Sequence, residues 1–171
     1  MGPRPVRVLF LCTQNSARSQ MAEALLRERG RGRFEAGSAG TAPASRVNPN
    51  AVEELKRRGI DWSRGRPKTI AEVADERWDI AITVCDNARE ACPILPGRVS
   101  AHWGIADPAS VGGDDDAQRR AFRHAADVLE ERIERLLSLR VEALDEAVLR
   151  RELAAIGAAE ATTSSHTRQQ S

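Results

Sequence analysis

Short apolar runs alternate along this chain with longer stretches in which apolar residues return every three or four positions. Residues 6–11, Val-Arg-Val-Leu-Phe-Leu, are rich in β-formers and predict a first strand. A polar stretch, residues 13–19, separates it from Met21, Ala22, Leu25 and Leu26, whose spacing predicts a helix that Gly30 ends. Residues 34–38 form a short second strand. Asn48 and Pro49 then supply an N-cap and a first-turn proline for a helix carrying Val52 and Leu55 and closed by Gly59. Thr69 and Glu72 have the spacing of a capping box before a shorter helix. Residues 79–84 predict a third strand and residues 98–102 a weaker fourth. From Asp114 onward, Phe122, Ala125, Leu129, Ile133 and Leu136 mark one face of a long helix. A further amphipathic segment is expected over residues 141–156. Strands separated by helices imply βαβ units. The expected fold is therefore α/β: a single-domain three-layer sandwich with a four-stranded parallel sheet and helices on both faces.

The domain expectation is a catalytic unit over residues 1–139, a helical extension over 140–160 that either caps the core or supports self-association, and a polar, disordered tail over 161–171. The composition narrows the function. Lys and Arg number 26 against 25 Asp and Glu, a net charge of +1, which argues against a protein that coats nucleic acid or an anionic membrane. No apolar run reaches the ~20 residues of a membrane span. The apolar start, residues 6–12, is too short and too interrupted by arginine for a signal peptide. There is no tyrosine, so mechanisms that need one are excluded. Three cysteines, Cys12, Cys85 and Cys92, cannot all pair among themselves. Together with the lack of an export signal, this points to the cytoplasm and to thiol chemistry.

The chemistry concentrates in the loop after the first strand: Cys12, Thr13, Gln14, Asn15, Ser16, Ala17, Arg18 and Ser19, a C-x5-R-S spacing. In a parallel sheet this loop lies at a strand's carboxyl end beside a helix N-terminus, where ligands bind. Its backbone N–H groups can turn inward as an anion cradle. Arg18 can fork onto two oxygens of a tetrahedral oxyanion. The same positive field is expected to stabilise a Cys12 thiolate, and Ser19 can donate to its sulfur. Asn15 is expected to hold the loop's shape, because Asn tolerates the left-handed conformation. Alone, a strand-end cysteine reads as a small buried apolar residue; the motif around it argues for a nucleophile. No dinucleotide fingerprint or nucleotide-phosphate loop occurs, and no cofactor is implied.

Asp107, ahead of Pro108 in the loop after the fourth strand, is the candidate acid that protonates a departing oxygen, although Asp-Pro alone also starts turns. His102 and Trp103 read as packing residues. Cys85 closes the third strand. If residues 85–92 are helical, Cys85 and Cys92 share a face but stand roughly 10 Å apart along the axis. A disulfide needs Cα atoms within ~7 Å, so pairing them requires the segment to unwind. A metal held by the three thiols lacks a fourth ligand near in sequence, and none is predicted.

These residues resemble the thioredoxin-coupled arsenate reductases, which share the low-molecular-weight tyrosine phosphatase fold. The likeness is carried by residues 8–23 with the C-x5-R-S loop, Ala-Gly-Ser-Ala-Gly at 36–40, Val-Asn-Pro at 47–49, the Cys85 to Cys92 segment, His-Trp-Gly at 102–104 and Asp107-Pro108. It covers about residues 6–139. The resemblance implies that Cys12 attacks arsenate, with phosphate as a competing oxyanion, while Arg18 holds it and Asp107 protonates the leaving oxygen. It further implies that Cys85 attacks Cys12 and releases arsenite, and that Cys92 draws off a Cys85–Cys92 disulfide for thioredoxin or a similar small redox protein to reduce. Some members hold a potassium ion near positions matched here by Asn15, Glu23 and Ser38. The further acidic residue has no counterpart, since residues 64–70 contain Arg66 and Lys68, so no metal is predicted. Phosphatases of this fold carry a proline where Gln20 stands, and tyrosines after the acid. The alternative reading is nonetheless a phosphatase-like hydrolase using Cys12, Arg18 and Asp107. A thiol sensor or arsenite-binding regulator is a third reading, and it leaves the anion cradle without a use.

Overall fold

The structure is a computed structural model that describes residues 4–85 and 96–159. Its elements are β1 (Val6–Cys12), α1 (Arg18–Arg29), β2 (Phe34–Gly40), α2 (Pro49–Arg57), α3 (Ile70–Val73), β3 (Ile80–Thr83), β4 (Val99–His102), α4 (Asp115–Leu137) and α5 (Glu146–Ala158). The strands form one parallel sheet in the order β2-β1-β3-β4. This puts the ends of β1 and β3 side by side, and with them Cys12 and Cys85.

Alternation along β1 divides the core. Val8, Phe10 and Cys12 join the larger cluster with α1, α4 and α5, while Leu9 and Leu11 pack with Ala39, Val73 and Trp78 on the opposite face. Helix α1 is buried at every position from Ser19 to Leu26, so its sequence shows little polar stripe. The punctuation seen in the sequence does its work. Asn48 accepts the Asn50 N–H with Pro49 at the first turn, and Thr69 and Glu72 form a reciprocal capping box.

Several boundaries differ from expectation. Strand β2 runs to Gly40 rather than 38, because Gly37 and Gly40 occupy close-packed positions that lower the β-signal without breaking the ladder. Strand β3 stops at Thr83, so Cys85 lies two residues beyond it. Residues 141–156 are not one helix. A 3-10 turn, Val141–Ala143, comes first, and Asp145 then caps α5 by accepting the Val148 N–H. The apolar stripe of α5, Leu149, Leu153 and Ile156, lies in the main core. Trp103, fully buried, donates its indole N–H to Leu153 O at 3.0 Å. No helix among the described residues is long and apolar enough to cross a membrane. The expectations for Cys92, for a helix over residues 85–92 and for the tail fall outside the described residues, apart from Cys85 itself.

Candidate functional site

The loop between β1 and α1 is fixed from both sides. Its carbonyls accept the Ala42, Ala44 and Asn48 N–H groups at 2.8–2.9 Å through Thr13, Gln14 and Ser16. Gly40 lies so close that a Cβ there would come within 2.6 Å of Thr13 O. Asn15 takes the left-handed conformation, with φ of 50°, and is fully buried. Its side chain donates to Ser19 Oγ at 2.8 Å and accepts from Gln20 Nε2 and the Lys68 N–H at 3.0 and 2.9 Å. Asn15 thus holds the loop's shape.

Because Ser19 Oγ accepts from Asn15, its proton is left to point at Cys12 Sγ, 2.8 Å away. The Asn15 N–H also reaches that sulfur, at 3.2 Å. Both contacts favour a thiolate. Yet the Cys12 thiol is pushed well above its ordinary value, first by the neighbouring Cys85 thiol and then by burial, which together outweigh Ser19. Burial beside the second thiol thus works against the resting thiolate that the motif leads one to expect, while Ser19 and the Asn15 N–H work for it.

Cys85 is that second thiol, 3% exposed. The Thr13 N–H donates to its Sγ at 3.2 Å, and the Thr13 hydroxyl lies 3.5 Å away. Thr13 thus touches the cysteine just beyond the third strand, a role its place in the motif did not suggest. Arg18, at the start of α1, donates from Nη1 to Ile105 O at 2.8 Å, and its Nη2 lies 3.8 Å from Asp107 Oδ2. Asp107 accepts the Ala109 N–H at 2.9 Å, so it caps the following turn and borders the site at once. Its side chain is 41% exposed, which leaves room to exchange a proton. Trp103 packs in the core, and His102 bonds Thr83 Oγ1 through Nδ1 at 2.7 Å.

The residues matching the potassium positions do not suit a further cation. Glu23, 2% exposed, accepts from Ser38 Oγ at 2.5 Å on one oxygen, with Lys68 Nζ 3.5 Å from the same atom. Its other oxygen pairs with Arg27 at 2.7 Å. Two side-chain cations already answer one carboxylate. Gln20, the residue replacing the phosphatase proline, is also structural: its amide donates to Asn15 O and Arg66 O and accepts from Trp62 Nε1 at 2.8 Å. That departure from the phosphatase pattern was the one sequence signal of its role.

The chain matches the low molecular weight phosphotyrosine protein phosphatase family over residues 7–151. It is 39% identical over 127 residues to an arsenate reductase of Halalkalibacterium halodurans, covering 74% of this chain and 91% of that one. An arsenate reductase of Bacillus subtilis is 35% identical, with the same coverage of both chains. Among solved structures, an arsenate reductase in a phosphate-binding state superposes with a TM-score of 0.61 at 30% identity, covering 78% of this chain and 97% of that one. A thioredoxin-dependent arsenate reductase of Corynebacterium glutamicum gives 0.63 at 29% identity over 80% of this chain, which spans only 62% of that protein's length.

Proposed function

Since the chain belongs to the low molecular weight phosphotyrosine protein phosphatase family, we propose that it is an arsenate reductase working through three thiols. The observation that carries this reading is the Cys85 thiol, buried beside Cys12 and held by Thr13 at the base of the oxyanion loop. Hydrolysis has no use for a second thiol there; a reduction needs one.

Arsenate enters the loop with its oxygens on the backbone N–H groups and the Arg18 fork. The Cys12 sulfur gives up its proton and attacks arsenic. One oxygen leaves as water, protonated by Asp107, and a Cys12 S–As bond forms. Cys85 then attacks the Cys12 sulfur. The S–As bond breaks with its electron pair staying on arsenic, which departs as arsenite, and a Cys12–Cys85 disulfide remains. Two thiols have supplied two electrons. Thr13 steadies Cys85 as it loses its proton, since its N–H and hydroxyl both meet that sulfur. Cys92 next attacks Cys85, freeing Cys12 and leaving a Cys85–Cys92 disulfide. A thioredoxin, or a similar small dithiol protein of the cytoplasm, reduces it. In this scheme residues 1–139 carry the chemistry and the 140–160 extension closes the core.

The test is a Cys92→Ser variant given arsenate without oxygen. One equivalent of arsenite should appear, and mass mapping should find Cys12 joined to Cys85; the unmodified chain should end as Cys85–Cys92. Many turnovers of Cys92→Ser with thioredoxin would overturn the relay. Steady hydrolysis of an aryl phosphate with no disulfide formed would instead favour the phosphatase reading, which shares Cys12, Arg18 and Asp107.

A further inference from the structure

Behind the loop of residues 104–108, between α4 and the end of α5, lies a cavity of about 450 Å³. Its walls include Ile105, Pro108 and Val128, and Val111 stands at 41% exposure on its rim, the only large apolar side chain so exposed among the described residues. One cation enters this apolar setting. Arg132 of α4 donates from Nη1 to Gly104 O at 3.2 Å, while its Nε is buried with no partner. No carboxylate among the described residues pairs with it, whereas the part-buried Arg58 meets Glu54, Asp127 and Glu130. Burial pushes the Arg132 pKa down, and only the through-space field of Glu131 opposes it. Asp107 also borders the cavity, but its carboxylate is committed to the Ala109 N–H and the Arg18 side.

A partly buried guanidinium whose Nε is buried without a partner beside apolar walls suits an anion that brings an apolar body with it. An inorganic oxyanion would need several convergent donors, whereas the lining is mainly apolar and its side-chain donors are Arg132 and the exposed His124 at the edge, with the Asp107 carboxylate also on the wall. We propose that the cavity binds a small aliphatic monocarboxylate, its carboxylate on Arg132 and its chain along Ile105, Val111 and Val128. Such a ligand is felt at the site, because Arg132 holds Gly104 O while Arg18 holds Ile105 O, the next carbonyl of the same loop.

The test uses hexanoate and its neutral isostere hexanamide, titrated into the reduced full chain and followed by amide NMR. Hexanoate should give saturable shifts at Gly104, Ile105 and Gly157. Hexanamide, and hexanoate with Arg132→Gln, should bind at least ten-fold more weakly. Val111→Asp changes an exposed position, so the fold persists, and it sets a like charge on the rim; several-fold weakening is expected. The proposal fails if hexanoate does not saturate, if Arg132→Gln and Val111→Asp bind as the unmodified chain does, or if the shifts stay within residues 13–18, which would place the carboxylate in the oxyanion loop. Should Arg132→Gln not fold, Val111→Asp decides. No turnover enters the measurement, so its outcome is independent of the reductase reading.

Discussion

Two loops meet at the carboxyl edge of the sheet, and they are built on opposite plans. The loop after β1 is over-determined, with Asn15, Ala17 and Ser19 buried. Asn15 alone has bonds to Ser19, Gln20 and Lys68, and its neighbours' carbonyls are tied to residues 42–48. The loop after β4 is open. Beyond the Ile105 N–H bond to Val84 O it is held by two guanidiniums on successive carbonyls, and its acid is 41% exposed. Binding a tetrahedral anion needs donors fixed in advance, because reorganising them during the reaction is costly. A proton donor needs reach and contact with water. Under the proposed function, the contrast fits recognition by the first loop and proton delivery by the second.

The strongest way to break that division is to remove the sulfur. Cys12→Ser should abolish arsenite production while the fold stays intact, because a hydroxyl with a far higher pKa cannot serve as the attacking anion. Arg18→Lys should also lose most activity, but through affinity. A lysine is a point charge that cannot fork onto two oxygens, so phosphate should compete much more weakly. Retained turnover in Cys12→Ser, or near-normal phosphate competition in Arg18→Lys, would remove the first loop from its role.

Asp107→Asn tests the second loop. Asn caps a turn as well as Asp does, so stability should barely change. The first chemical step should slow by about 10²–10⁴-fold, the usual worth of a positioned acid, with phosphate competition unaltered. If the rate holds, Asp107 is a turn-former and nothing more. If phosphate affinity falls instead, the two loops share recognition and the division is wrong.

Much of this was legible in the sequence, for reasons that differ by residue. The strands and caps were visible because local signals carry them: Asn48-Pro49 and Thr69 with Glu72 are contiguous in the chain. The C-x5-R-S loop was visible because its residues are eight consecutive positions. What stayed hidden depends on contacts across long separations. Thr13 meets Cys85 across 72 positions, and Lys68 meets Glu23 across 45. Arg132 is one more polar residue of α4 in the sequence, and only the folding of residues 104–111 and the end of α5 against it gives it apolar walls. The opposing influence on Cys12 was hidden because motif reasoning counts the helix and the loop amides but not the thiol delivered from just beyond the neighbouring strand.

A smaller effect separates rigid from adjustable backbone. Asn15→Ala removes the buried side-chain bonds and forces a Cβ residue to keep φ at 50°. The expected loss is about 1–3 kcal/mol in urea unfolding, from left-handed strain and unsatisfied partners. Asn15→Gly should recover only the backbone part. Ala106→Gly in the open loop should shift stability by less than either. Equal effects at the two loops would contradict the claim that only the first is over-determined.

The smallest expected effect bears on the sulfur's resting state. Cys85 and burial hold the Cys12 proton in the folded chain, so its folded pKa stands above the unfolded value of about 8.5. Below that value both states carry the proton and nothing changes with pH. Above it the unfolded chain releases the proton while the folded chain keeps it. The folded state then binds more protons, and stability falls as pH rises until the folded pKa is reached. Urea midpoints measured from about pH 7.5 to 9.5 should therefore decline more steeply for the reduced unmodified chain than for Cys12→Ala, in which this proton is absent. The difference between the two slopes isolates the thiol from every other alkaline group. A steeper decline in Cys12→Ala would mean that the Asn15 N–H and Ser19 already outweigh Cys85, and that the first loop holds a thiolate before any oxyanion arrives. Burial beside Cys85 points the other way: under the proposed function, the Cys12 sulfur sheds its proton only when arsenate binds.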